Sequence, residues 1–236
     1  MPSFYFYRRL FSLLLEASRL AKRGRFDRRQ LFRSTFGVLE ALEGVGVRFE
    51  ISGTERFRGL GGPCVFVANH MSALETFILP AIIAPFKDLT VVIKKSLAEN
   101  YPVYKHIMRA MDPITVSRTN PREDLKAVLE GGTEGLKAGR SVLVFPQATR
   151  STVFNPKDFN TLGIKLARRA NAPVIAVAIR SDAWGNGKVI KDLGKIDPSK
   201  TVHLSFGRPL WIKGRGDEEH GDVLDFINQR LKEWGL

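Results

Sequence analysis

Seven short apolar runs, separated by longer amphipathic stretches, constrain this chain most. They lie at 47–52, 64–68, 90–93, 114–116, 141–145, 174–179 and 202–206. Several, such as Cys64-Val65-Phe66-Val67-Ala68 and Val174-Ile175-Ala176-Val177-Ala178-Ile179, are apolar without alternation. A strand that is apolar at every position needs cover on both faces, which helices on either side of a sheet supply. Helical patterning falls between the runs, at 73–83, 102–110, 121–137, 160–170 and 217–233. The expectation is an α/β fold over residues 45–236, a mixed, largely parallel sheet flanked by helices.

The first 44 residues read as a separate two-helix element. Over residues 4–23, Phe4, Tyr7, Leu10, Phe11, Leu14, Ala17, Ser18 and Ala21 fall on one helical face, with Arg8, Arg9, Arg19 and Arg23 opposite. Gly24 interrupts. Leu31, Phe32, Thr35, Val38, Leu39 and Leu42 then form a second stripe, whose N-terminal end carries Arg25, Arg28, Arg29 and Arg33. Two readings fit: helices lying in a membrane interface, or core helices with a solvated charged face. The scarcity of acids here favours the interface.

The charge of the whole chain agrees. With 37 Lys and Arg against 24 Asp and Glu, the net charge is +13, which asks for an anionic partner. No nucleic-acid motif accompanies it, so nucleic acid is not expected. No apolar stretch reaches the ~18 residues of a spanning helix. Arg8-Arg9-Leu10-Phe11 loosely resembles an export signal, but Glu16 and Arg19 break the apolar part and no small-residue cleavage site follows. Cys64 is the only cysteine, and His106, His203 and His220 have no ligand-like spacing, so neither a disulfide framework nor a metal site is expected.

The chemistry begins at Asn69-His70-Met71-Ser72-Ala73-Leu74-Glu75, directly after an apolar run. An imidazole at a strand end can take a proton, and a carboxylate five residues on can fix its tautomer and support its charge. Ser72-x-x-Glu75 is also a capping box, in which Glu75 reaches back to the Ser72 N–H. Both roles stay open for Glu75. Phe145-Pro146-Gln147-Ala148-Thr149-Arg150-Ser151 follows another apolar run. An arginine among hydroxyls and an amide suits a phosphate or carboxylate. Ile114-Thr115-Val116-Ser117-Arg118 ends a third run in a second arginine. Lys165, Arg168, Arg169, Arg180 and Lys188 flank the run at 174–179 and extend a positive surface.

In order and spacing, the His70 segment, the Arg118 segment, the Arg150 segment and Pro173-Val174-Ile175-Ala176-Val177-Ala178 resemble the four blocks of the glycerolipid and lysophospholipid acyltransferase superfamily, with bacterial 1-acyl-glycerol-3-phosphate acyltransferases closest in pattern. The resemblance runs from about residue 64 to 180, and the basic N-terminal helices look like that family's membrane-binding pair. It implies acyl transfer to the hydroxyl of a lysophospholipid, from acyl-CoA or acyl carrier protein as substrate and without a cofactor. His70 would be the base and Glu75 its orienting partner. Arg118, Gln147, Thr149, Arg150 and Ser151 would bind the acceptor. It further implies peripheral or monotopic attachment to an anionic membrane surface, at the cytoplasmic face of a bacterial inner membrane. Two departures stand out: Glu75 replaces the family's usual Asp, and Gln147-Ala148 replaces Glu-Gly. The competing implication is a lipid-binding protein on the same fold, disabled at Gln147-Ala148.

Overall fold

The structure is a computed structural model that describes residues 1–99, 103–147 and 149–236. Two long helices come first, α1 (Pro2–Lys22) and α2 (Arg28–Glu43). There follow β1 (Phe49–Ser52), the short α3 (Glu55–Arg58), β2 (Val65–Ala68), α4 (Glu75–Ile83), β3 (Leu89–Lys94), α5 (Lys95–Glu99), α6 (Tyr104–Met111) and β4 (Ile114–Val116). The remainder is α7 (Pro121–Lys137), β5 (Ser141–Val144), α8 (Leu162–Ala170), β6 (Val174–Arg180), β7 (Val202–Leu210) and α9 (Asp217–Glu233). Each of the seven apolar runs forms a strand. The helix expected at 73–83 starts at Glu75 instead, because Met71 to Leu74 are spent in a hydrogen-bonded turn described below. Of the helix expected at 102–110, residue 102 lies outside the described residues, as does Ala148.

The strands form one sheet in the order β1-β7-β6-β2-β5-β3-β4. Every neighbouring pair is parallel except β6 and β7, so β1 and β7 run against the other five. The sheet is therefore mixed and largely parallel. Successive side chains of a strand point to opposite faces. Phe66 and Ala68 of β2 accordingly join Leu143, Ile175 and Val177 in a core shared with α1, α2 and α4. Val65 and Val67 join Val142, Val144 and Val174 in a second core under α7, α8 and α9. That double cover is why β2, β5 and most of β6 are buried at every position. Helix α8 lies close under β2 because Gly163 faces it; a Cβ there would come within 2.5 Å of Val67.

Helices α1 and α2 pack into the first core through Phe6, Leu10, Leu31 and Leu42. Phe6 meets Trp184 edge to face at 4.7 Å between ring centres, and Phe77 of α4 stacks on the same indole at 5.7 Å. The buried face of α1 is Phe6, Leu10, Leu13, Leu14, Ala17 and Ser18, rotated from the one expected. Phe4 and Phe11 lie exposed beside Tyr5 and Leu15. The helix is thus apolar on two sides, one facing the sheet and one facing outward. Arg28 leaves the solvated group: its guanidinium donates to the Ala84 carbonyl at 2.5 and 2.8 Å, capping the end of α4. No helix among the described residues is long and apolar enough to cross a membrane.

Candidate active site

Parallel strands bring their carboxyl ends to one edge of the sheet, where side chains from several loops converge. Here β2 ends before His70, β5 before Gln147 and Arg150, β4 before Arg118, and β6 before Ser181.

The turn from β2 into α4 is fixed from all sides. Asn69, buried, spans to β6: its amide donates to the Ile179 carbonyl and its oxygen accepts the Ile179 N–H, both at 2.8 Å. The His70 N–H donates to Gln147 Oε1 at 2.7 Å, and the His70 carbonyl accepts the Ser151 N–H at 3.0 Å. The imidazole stacks on Phe145 at 4.4 Å and is 13% exposed. Its Nδ1 lies 3.6 Å from Glu75 Oε2, at ion-pair distance. Nδ1 has no hydrogen-bond partner among the described residues, and the nearby carboxylate is the group that faces it.

Glu75 is fully buried. Its Oε1 accepts the N–H groups of Met71 and Ser72 at 2.8 and 2.9 Å and the Ser181 hydroxyl at 2.5 Å. Burial alone would raise this carboxyl, but the His70 imidazole, the Ser181 hydroxyl and the Ser72 N–H outweigh it and hold it below its ordinary value. One side chain thus closes the turn's N–H groups and lies at ion-pair distance from the imidazole. The same bonds remove an option. The N–H groups of His70, Met71 and Ser72, with that of Leu74 on Ser72 Oγ, are already engaged and do not serve a developing oxyanion.

His70 lines a cavity of about 810 Å³. Its lining is largely apolar, with Leu10 and Leu14 of α1, Leu31 of α2, Phe77 of α4 and Ile107 of α6. The same lining holds the cationic side chains Arg118, Arg150 and Lys165, with Asn160. Arg150 is 20% exposed and its Nη2 pairs with Asp192 at 2.6 Å, while its Nη1 is buried with no hydrogen-bond partner. Tyr104 lines the cavity beside this pair; burial, and then the Asp192 charge, push its phenol well above the usual range.

The residues expected to bind an acceptor thus separate. Arg150, Arg118 and Gln147 line the cavity. Arg118 is exposed in the left-handed region at φ 62°, held by its N–H on Asp124 at 2.7 Å. Gln147 is buried with its oxygen on the His70 backbone, so it positions the histidine. Ser151 does likewise through its N–H, and its hydroxyl donates to the Val153 carbonyl at 2.7 Å. Thr149 is exposed and outside the cavity lining. Sequence reasoning missed Ser181, Asp192 and Tyr104. Only Ser181 carried a signal, a hydroxyl just past an apolar strand. No cluster of metal-ligating side chains occurs among the described residues.

Comparison with known proteins fits this geometry. A family model described as Acyltransferase matches residues 48–180. A 1-acyl-sn-glycerol-3-phosphate acyltransferase of Pseudomonas aeruginosa is 30% identical over 189 residues, which is 80% of this chain and 68% of the relative. A chloroplastic enzyme of the same name from Brassica napus is 28% identical over 141 residues, 60% of this chain and 38% of that one. Among solved structures, the 1-acyl-sn-glycerophosphate acyltransferase PlsC from Thermotoga maritima superposes with a TM-score of 0.68 at 22% identity, over 98% of this chain and 94% of that one. That last match concerns the fold.

Proposed function

Since the chain belongs to the acyltransferase family, we propose that it moves a fatty acyl group from a thioester, acyl-CoA or acyl carrier protein, to the free hydroxyl of 1-acyl-glycerol-3-phosphate or a similar lysophospholipid. The observation that carries this reading is that His70, paired with Glu75, lines one cavity with Arg150 and a large set of apolar side chains. His70 Nε2 takes the proton of the acceptor hydroxyl, and the alkoxide oxygen attacks the thioester carbonyl. The tetrahedral intermediate collapses by releasing thiolate, which takes the proton back from the imidazolium. Glu75 stabilises that imidazolium across 3.6 Å. General-base catalysis of this kind contributes about 10²–10⁴ in rate. The unpartnered Arg150 Nη1 is suited to the acceptor phosphate, and Arg118 adds positive charge to the same cavity. The apolar part of the lining is suited to an acyl chain.

The outward side of α1, with Phe4, Tyr5, Phe11 and Leu15 exposed among arginines, supports peripheral attachment to an anionic membrane surface. The cytoplasmic side of a bacterial inner membrane is the proposed location. Gln147 accepts the hydrogen bond that seats the His70 backbone, which favours a working enzyme over a disabled lipid binder. A labelled acyl-CoA assay against a panel of lysolipids tests the reading. Transfer by the native chain and none by His70→Ala is expected; vesicle binding without transfer to any acceptor would leave the lipid-binding alternative.

A further inference from the structure

The loop between β6 and β7 carries features the proposed chemistry does not use. Residues 185–195 have no helix or strand, yet the neck is pinched: the Gly185 N–H donates to the Lys195 carbonyl at 3.0 Å. A Cβ on Gly194 would sit 1.6 Å from the Gly185 carbonyl oxygen, so the two legs touch and only glycine fits. The tip projects from this neck. Val189 is 95% exposed and Ile190 is 55% exposed, next to Lys188 and Lys191, with Lys195 at the neck. An isolated exposed valine is ordinary; here a nearly fully exposed one stands among three lysines, beside an isoleucine that lines the cavity.

The loop is tied to two other places. The Ile196 N–H donates to Ser3 Oγ, and Tyr7 OH to the Gly194 carbonyl, so the loop rides on the start of α1, where Phe4 and Tyr5 are exposed. Asn186 donates to the Met71 carbonyl at 3.2 Å, touching the turn that holds His70. From the middle of the same loop, Asp192 reaches the cavity and pairs with Arg150.

We infer that the segment from Asn186 to Lys195 is a contact surface for an anionic lipid bilayer and that it delivers an acceptor headgroup to Arg150. Val189 enters the interface while Lys188, Lys191 and Lys195 meet lipid phosphates, and Ile190 beside it lines the cavity. Asp192 holds the guanidinium in place until the phosphate of an incoming lysophospholipid replaces it. The phosphate meets the unpartnered Nη1 first and then displaces Asp192 from Nη2, so the guanidinium keeps an anionic partner throughout. This inference rests on the proposed acyl transfer only through the role of Arg150; the lipid contact stands apart from it.

The full chain is sedimented with vesicles of phosphatidylglycerol and phosphatidylethanolamine, and with phosphatidylcholine alone. The variants are Val189→Glu and the triple Lys188→Gln, Lys191→Gln, Lys195→Gln, each checked by its thermal melt. The triple variant is expected to lose about fivefold in affinity for the anionic vesicles per lysine removed. Val189→Glu should weaken it too, and both should act on a water-soluble short-chain lysophosphatidate at the native rate. Anionic-vesicle affinity unchanged in both variants overturns the contact. Asp192→Asn is expected to lower the KM for the soluble acceptor and leave kcat unchanged; a KM raised as in Arg150→Ala would overturn the exchange. A native chain that transfers no acyl group refutes the proposed function, while the vesicle measurements still decide the lipid contact.

Discussion

The turn that carries His70 and the loop that carries Asp192 both face one cavity, and they are built in opposite ways. The first is short and buried, and the backbone of His70 is pinned at its N–H and its carbonyl. The second has no helix or strand and carries a valine that is 95% exposed. A proton transfer tolerates little misplacement, so the base sits on a turn with no slack. Recognition of a headgroup arriving from a bilayer needs a surface that meets the bilayer. Under the proposed function, the contrast would put rate in the buried turn and acceptor capture on the open side.

The largest effect should come from removing the base. His70→Ala should cut kcat by about 10²–10⁴ with the circular dichroism spectrum unchanged. Retention of near-native turnover would move catalysis out of the turn. Glu75→Gln comes next and tests the rigidity of that region. It removes the charge beside His70 and weakens bonds to two N–H groups and a hydroxyl, costing about 3 kcal/mol at neutral pH. The sign with pH follows from the depressed carboxyl. Its contribution is complete above the reference value of 4.5 and drains as pH falls through the lower folded value. Urea titrations from pH 7 downward should therefore show the native and Glu75→Gln stabilities converging in acid. A constant gap would mean the charge contributes nothing.

Arg150→Ala should act on the other region. A charge-assisted hydrogen bond is worth about 1.5–3 kcal/mol, so KM for a phosphorylated acceptor should rise about ten- to hundredfold. The acyl-donor KM should stay put. Gln147→Leu sharpens the division further, since Gln147 lies on the cavity but bonds to the His70 backbone. Orphaning that N–H should cost about 1–3 kcal/mol of stability and lower kcat, with acceptor KM unchanged. A change confined to KM would return Gln147 to the acceptor site. Thr149→Ala should do least, within about 0.5 kcal/mol in stability and with acceptor KM unaltered, because the side chain is exposed away from the cavity.

Much of this could be read from the chain. Val65 to Ala68 and Val174 to Ile179 are apolar at every position, and only a sheet covered on both sides accepts such strands. His70 and Glu75 are close in sequence, so a strand-to-helix turn was bound to place them together. Residues 4–23 were read less well. Phe4 and Phe11 share a stripe with Leu10 and Leu14 by spacing, yet they lie outward, because Phe6 and Leu13 take the contact with the sheet. A helix apolar on two sides has no single face that spacing can select.

Order along the chain thus determined the strands, the parallel topology and the near neighbours of the base, because short-range geometry and burial leave few alternatives. Only the folded molecule decided the partners far apart in sequence: Ser181 on Glu75, Gln147 on the His70 backbone, Asp192 on Arg150. Those contacts depend on β2 lying between β5 and β6, which places three loop ends at one edge. Nothing in a serine, a glutamine or an aspartate announces which strand end it will meet. Sheet order settles that, and it is a property of the whole core.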